Sequence, residues 1–286
     1  MKEKCVVLFS GGLDSRLAIK IMKEKNYNVL TVFFKLPFIK DNEKEVKDFL
    51  KKEKINLKIF DCTKGKLLQE YLSIVRDAKF GRGVGMNPCI DCKIFMFKKV
   101  KEFVDEKKIN FIVSGEVVGQ RPMSQTKKQI DLIEKQAGIN GRVLRPLCDL
   151  EICGRRRQKQ IDLARKFKIN YPEPAGGCLL CEKCLKTRLK YLLGRGMKEE
   201  EIIFIGIGRH FIVDNFWVVL GRNEFENKII EEVGGKNAIV SDFPAPSAIV
   251  FGNCKKITKE KVKKLVKAYS KLGSLKEREK FEKWRL

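Results

Sequence analysis

The sequence has no apolar run approaching the roughly 18 residues that a membrane-spanning helix needs. The apolar stretch within its opening MKEKCVVLFSGG is also too short for a secretory signal. Both absences point to a cytoplasmic protein and away from the membrane as a partner. Without an export signal, the ten cysteines read as thiols, metal ligands or catalysts rather than as a disulfide framework. Histidine is nearly missing. A lone copy such as His210 is more often a packing or hydrogen-bonding residue than a ligand, and it is assigned no catalytic role. Acidic residues are scarce beside basic ones, 36 against 61, a formal net charge of +25. An excess of that size excludes an indifferent surface and calls for a polyanionic partner. No internal repeat or low-complexity linker interrupts the chain. With 43% hydrophobic residues it can bury a core, which excludes wholesale disorder.

Short apolar runs at 5–9 (CVVLF), 27–34, 57–60 and 110–114 read as strands. Charged, helix-periodic stretches at 16–25, 42–54 and 93–107 separate them. Strands alternating with helices imply a doubly wound parallel α/β sheet, with ligands beyond the strand C-terminal ends. Two Gly- and Pro-containing stretches, 81–88 and 171–177, read as loops. After about Gly194 the texture changes, with strands expected at 202–207, 211–213 and 217–220 and a helical tail at 255–286. We therefore expect an α/β domain over 1–194 and a smaller α+β domain over 195–286. The tail holds 13 basic and 4 acidic residues. Together with the triplet Arg155, Arg156 and Arg157 it is the electrostatic footprint expected of an RNA-binding protein.

The sharpest motif is Ser10-Gly11-Gly12-Leu13-Asp14-Ser15, between the first expected strand and helix. Two glycines let backbone N–H groups turn inward, and the helix N-terminus adds its positive end, which together make an anion cradle. Ser10 and Ser15 can add hydroxyl donors, and Asp14 can hold Mg²⁺ against phosphates. The polar loop after the strand at 110–114 offers Gly115, Glu116, Gln120, Arg121 and Ser124 as nucleotide or substrate contacts. Cys89 and Cys92 lie at the start of a helix near Lys93 and Lys98, a setting expected to lower a thiol pKa. Downstream, Cys178, Cys181 and Cys184 form C-x-x-C-x-x-C after Pro174-Ala175-Gly176-Gly177.

SGGLDS resembles the pyrophosphate-binding loop of the PP-loop ATPases, with their HUP-like fold. The NPCIDC stretch at 87–92, Cys178 and the Leu144-Arg145-Pro146-Leu147 segment resemble tRNA 2-thiouridylases of the MnmA type. The resemblance covers about residues 1–190. It implies ATP bound at Ser10, Gly11, Gly12, Asp14, Ser15 and Gly115, with Asp14, Cys92 and Cys178 as catalytic residues. A C-x-x-C plus one remote cysteine further resembles the iron–sulfur branch of tRNA thiolation enzymes. There, Cys89, Cys92 and Cys178 would hold a four-iron, four-sulfur (4Fe–4S) cluster with one iron free, consistent with thiolate softness. The expected reaction adenylates a tRNA base carbonyl, with uridine as the expected base, and replaces its oxygen with sulfur from a protein persulfide or sulfide. A metal-free persulfide on Cys178 and a zinc held by Cys89, Cys92, Cys181 and Cys184 are the alternatives for the cysteines. For the whole protein the alternatives are a small-molecule PP-loop ligase, as in deazaguanine synthesis, and a non-catalytic RNA-binding protein. The segments at 208–211 and 218–227 resemble the RNA-binding domain of NFACT proteins. Cys5, Cys62, Cys148, Cys153 and Cys254 read as core or incidental thiols.

Overall fold

A computed structural model describes residues 2–173 and 177–286. Pro174, Ala175 and Gly176 of the expected loop lie outside the described residues. The chain forms two compact units, Met1–Lys186 and Thr187–Leu286, so residues 187–194 go with the second unit rather than the first.

The first unit runs β1 (Lys4–Leu8), α1 (Leu13–Glu24), β2 (Asn28–Lys35), α2 (Glu43–Glu53), β3 (Leu57–Asp61) and α3 (Gly65–Arg76). It continues with α4 (Cys89–Glu106), β4 (Phe111–Ser114), α5 (Lys127–Ala137), β5 (Val143–Leu144), α6 (Pro146–Asp149) and α7 (Gln158–Lys166). The five strands are parallel in the order β3-β2-β1-β4-β5. Strand β1 shows why the sheet is covered on both faces. Val6 packs with Ile94, Phe97 and Val100 of α4, while Cys5 and Val7 pack with Ala18, Ile19 and Met22 of α1. Period-two alternation thus sends apolar side chains to two helical layers, and the strand reads as one continuous apolar run. The strand order reverses between β1 and β4, the position at which doubly wound sheets open a crevice at their carboxyl ends.

The second unit holds α8 (Lys186–Gly194, from Thr187 onward), β6 (Arg209–Val213), β7 (Phe216–Leu220), α9 (Glu224–Gly234), β8 (Ala238–Ile239), β9 (Ala248–Phe251), α10 (Lys256–Tyr269) and α11 (Leu275–Glu282). Its antiparallel sheet has the order β6-β7-β9-β8. Phe211, Val218 and Val250 pack on Val262, Leu265 and Val266 of α10. The strand expected at 202–207 is instead a short 3₁₀ turn, Glu199–Phe204. Its acidic start explains the difference: Glu201 accepts from the Lys198 backbone N–H at 2.8 Å and from Arg195 at 2.8 Å, which closes a helical turn. The expected helical tail is broken by Gly273 and restarts at Ser274, whose side chain accepts from the Glu277 backbone N–H. Among the described residues no helix is long and apolar enough to cross a membrane.

His210 is buried, with the Trp217 indole N–H donating to its Nδ1 at 3.0 Å and the Ile207 carbonyl 2.7 Å from its Nε2. Nδ1 must stay unprotonated to accept, so Nε2 carries the hydrogen and donates. Burial, reinforced by Arg188, pushes this imidazole down to about 3. A histidine lowered in the folded state favours folding fully above its unfolded pKa and loses that contribution as pH falls towards the folded one. Unfolding free energy should therefore be insensitive to His210 above about pH 7. It should fall by up to about 1.4 kcal/mol per pH unit between about pH 6 and 4, and His210→Gln should flatten that limb in urea titrations.

Candidate phosphate loop and cysteine site

The loop after β1 turns where Gly11 takes φ +81°, a region that favours glycine. Gly12 at the N-cap of α1 provides no side-chain cap, so the first-turn N–H groups remain open to an anion. Ser10 Oγ lies 3.3 Å from Ser15 Oγ and accepts from the Gly12 N–H at 3.4 Å, and Ser15 Oγ donates to the Gly12 carbonyl at 2.9 Å. The six-residue motif therefore closes on itself as a cradle. The neighbouring strand end is equally constrained: a Cβ on Gly115 would come within 2.7 Å of the Asp14 backbone carbonyl. Only glycine lets β4 end that close to the first turn of α1.

Asp14 receives a hydrogen bond from Gln120 Nε2 at 3.3 Å on Oδ2, while its buried Oδ1 has no partner. Burial raises this carboxyl above its ordinary value, against the pull of Arg157, the Gln120 hydrogen bond and Arg121. An orphaned buried carboxylate oxygen costs about 1–3 kcal/mol or more, and a bound cation or proton donor removes that cost. Arg157 thus faces the phosphate loop, whereas the sequence alone groups it with an RNA footprint. Glu116 also departs from expectation as a nucleotide contact. Its carboxylate is ion-paired with Lys93 and with Arg145, the latter at 3.2 Å, and Arg145 also reaches Glu134 at 2.5 Å. Burial works to raise Glu116, yet Lys93 and Arg145 together hold it below the usual carboxylate value. Ser124 is buried, and its carbonyl accepts from Lys93 at 3.1 Å.

Sequence reasoning missed Arg16. It is buried along α1, where it donates to the Gly11 carbonyl at 2.7 Å and to the Asn170 carbonyl at 2.6 Å, with its guanidinium over the Phe49 ring. One side chain thus turns a loop carbonyl away from the cradle and ties down the segment that leads towards Cys178. An arginine beside a motif reads as surface charge, so only its burial reveals this role.

Cys89 opens α4 and Cys92 lies one turn on, on the same helical face. Asp91 accepts from the backbone N–H groups of Lys79 and Phe80 at 2.9 and 3.2 Å, which pins the preceding loop. That loop meets the downstream cysteines directly. The Met86 N–H donates to the Leu180 carbonyl at 2.7 Å, and a Cβ on Gly85 would lie 2.2 Å from the same oxygen. The structure brings Cys89, Cys92, Cys178 and the exposed Cys181 close enough for each to act on its neighbours' ionisation, whereas Cys184 and Cys153 are exposed and outside this group. Among the described residues no three His, Cys, Asp or Glu side chains are arranged to hold a single metal ion.

For Cys92 the expectation of a lowered thiol is overturned. Burial pushes Cys92 up to about 11, which the Tyr71 hydroxyl at 3.5 Å offsets only in part. Burial likewise pushes Cys178 to about 12, against the Leu180 backbone N–H, and raises Cys181 as well. The cations expected to counter this do not outweigh burial. Lys93 pulls Cys92 down but is ion-paired with Glu116, and Lys98 lies on the exposed side of α4.

A phosphate loop at the reversal point of a five-stranded parallel sheet, with a polar loop from the adjacent strand facing it, defines the PP-loop, HUP-like class of α/β proteins. Within that class the model of the family described as "Thiamine biosynthesis protein (ThiI)" matches residues 1–170, and the chain belongs to this family. A curated relative, the tRNA-specific 2-thiouridylase MnmA of a Nitratiruptor species, is 28% identical over 120 residues. The match covers 40% of this chain and 35% of that protein, so the chain spans about a third of its relative's length. Two solved structures are similar at 19% identity each. A predicted subunit of tRNA methyltransferase from Methanocaldococcus jannaschii aligns over 70% of this chain and 91% of its own, with a TM-score of 0.42. A 4-thiouridine synthetase–RNA complex with bound ATP aligns over 71% of this chain and 52% of its own, with a TM-score of 0.46.

In reduced, metal-free protein at pH 8, a thiol of pKa about 11 is thiolate in about one molecule in a thousand. Cys92 and Cys178 should therefore alkylate with iodoacetamide about a hundredfold or more slowly than Cys153 and Cys184. The Cys92 rate should keep rising to about pH 10. Peptide mass spectrometry resolves the sites, and Cys92 labelling as fast as Cys153 would contradict the buried setting.

Proposed function

We propose that the chain is an ATP-dependent tRNA sulfurtransferase. The observation that carries the reading is the pairing of an open phosphate cradle, with its unpartnered Asp14 oxygen, and half-buried cysteines contributed by two separate loops of one unit. Membership of the ThiI family and the named activity of the MnmA relative supply the substrate class. ATP would place its phosphates on the N–H groups of Gly12 and the first turn of α1, beside Ser10 and Ser15, with Gly115 leaving room at the strand end. Mg²⁺ fits Asp14, whose Oδ1 lacks any other partner. A base carbonyl oxygen of tRNA would attack the α-phosphorus and release pyrophosphate. A sulfur nucleophile would then attack the same base carbon and release AMP. Arg121, Arg157 and Gln120 would steady Asp14 and the phosphates during the first step. The sulfur would come either directly from free sulfide or from a persulfide on Cys178 loaded by transfer from a donor protein's persulfide. In the second case the Cys92 thiolate would attack Cys178 Sγ, breaking the S–S bond to leave the sulfur on the base and a Cys92–Cys178 disulfide that a thiol reductant reopens.

The soft thiol set of Cys89, Cys92 and Cys178 fits a 4Fe–4S cluster, which would offer an iron position for carrying sulfur. A zinc would draw on two exposed thiols, Cys181 and Cys184, whereas Cys89, Cys92 and Cys178 are all half-buried, which favours the cluster over the zinc reading. The raised, half-buried thiols of Cys92 and Cys178 suit either the cluster or the persulfide pair, because a metal centre deprotonates thiols outright. RNA as partner is supported by the charge of +25 and by the resemblance of the segments at 208–211 and 218–227.

Asp14→Ala should keep a thermal midpoint no lower than the wild type's, since it removes the orphaned carboxylate, and cut tRNA-dependent pyrophosphate release by about 10²-fold or more. Thionucleoside analysis of digested tRNA would report the product. Anaerobically isolated protein should hold about four irons per chain, lost in Cys89→Ala, Cys92→Ala or Cys178→Ala and retained in Cys254→Ala. Unchanged pyrophosphate release in Asp14→Ala would defeat the phosphate-site assignment. Stoichiometric zinc without iron would defeat the cluster.

A further inference from the structure

The second unit gathers arginines that are remote from one another in sequence. Strand β6 alternates, so that His210 meets Trp217 while Arg209 and Phe211 meet Tyr269 of α10. The Arg209 guanidinium lies 5.3 Å from the Tyr269 ring centre, and that of Arg278, on α11, lies 5.5 Å from the same ring. Both are held in place by backbone carbonyls: Arg209 donates to Gly221 at 3.2 Å, and Arg278 to Ala268 at 3.0 Å. The last residues run back along β6, with the Leu286 N–H donating to the His210 carbonyl at 2.9 Å, which sets Arg285 beside Arg209. Arg222 stands just beyond β7. Burial lowers the Arg209 pKa, and the charges of Arg285, Arg222 and Arg278 lower it further, against Tyr269.

The carboxylates nearby are already taken. Glu226 pairs with Arg222, and Glu282 pairs with Arg285 at 3.1 Å while accepting from the Tyr269 hydroxyl at 2.9 Å. Arg209 and Arg278 have no carboxylate partner among the described residues. Two half-exposed guanidiniums that repel each other, clamped on one aromatic ring, differ from the exposed lysines of α10, which solvent screens individually. Their repulsion is relieved when an anion arrives, and their planar forks are pre-set for phosphate oxygens.

We propose that Arg209 and Arg278, flanked by Arg285 and Arg222, form a phosphate-binding site for the RNA backbone on the second unit. The identity of the polyanion rests on the tRNA reading above. The location rests on the arginines alone.

The test uses the full chain, bulk tRNA and fluorescence anisotropy from 50 to 200 mM salt, with about 0.7 to 0.9 of slope in log K against log salt for each phosphate neutralised. R209Q/R278Q should flatten the slope by about 1.5, so that the wild type loses roughly eightfold more affinity than the variant across that range. R209K/R278K should keep the slope, and K263Q/K264Q on the exposed face of α10 should change it by less than half as much. R278Q/R285Q, at more exposed positions, repeats the test if the first pair lowers the thermal midpoint. A wild type that does not bind tRNA overturns the RNA reading and this site with it. Binding with an unchanged slope in both arginine pairs, or an equal loss in the lysine pair, overturns the location while leaving the RNA reading standing.

Discussion

The first unit depends on one close approach: the end of β4 lies against the first turn of α1 with no side chain between them. Gly115 makes that possible, and Gly11, at positive φ, lets the chain leave β1 in the direction the approach requires. The consequences accumulate around Asp14. Its carboxylate is buried beneath Gln120 with one oxygen unpartnered, and Arg121 and Arg157 bear on it from separate loops. Arg16 completes the cradle from below by drawing off the Gly11 carbonyl. Each of these groups is costly or strained alone, and a polyphosphate with its cation would relieve them together.

The cysteines follow a different logic. Asp91 pins the loop before α4, and Gly85 admits the Leu180 backbone, so two thiol pairs 89 residues apart in numbering (Cys89 to Cys178) share one environment. The burial around them also holds Cys92, Cys178 and Cys181 protonated. A thiol removed from water becomes a thiolate only when something else stabilises its charge. The nearest lysine, ion-paired with Glu116, pulls Cys92 down without outweighing its desolvation. The buried network of Lys93, Glu116, Arg145 and Glu134 therefore supports the site's walls, and reactivity waits on a metal core or an incoming sulfur.

In the second unit, charge is sorted by rigidity. The lysines of α10 stand out in solvent, while the arginines beside Tyr269 are fixed by carbonyls and by the ring. The large positive excess thus has a diffuse part and an ordered part, and only the ordered part has a geometry that an RNA backbone can match.

Much was legible in the residues themselves. Apolar runs at 5–9 and 27–34 imposed parallel, doubly covered strands because no exposed face could accept them. SGGLDS announced its own cradle because glycines and an uncapped helix start are local features. The cysteine spacing likewise pointed to a shared site. What the local pattern could not contain was distance across the fold. The helix Gly65–Arg76, with buried Leu68, Tyr71, Leu72 and Val75 at helical spacing, was legible from periodicity, whereas short β5 and the turn at 199–204 depended on tertiary packing and a side-chain cap. The raised thiols, the inward Arg16, the diversion of Glu116 to Lys93 and Arg145, and the turning of Arg157 towards Asp14 depend on which charges burial brings together. The sequence alone determined the parallel sheet, the glycine turn before α1 and the excess of positive charge, because these follow from nearest neighbours and totals. Only the tertiary structure decided which ionisable groups face one another without water between them, and electrostatics is strongest where water is excluded.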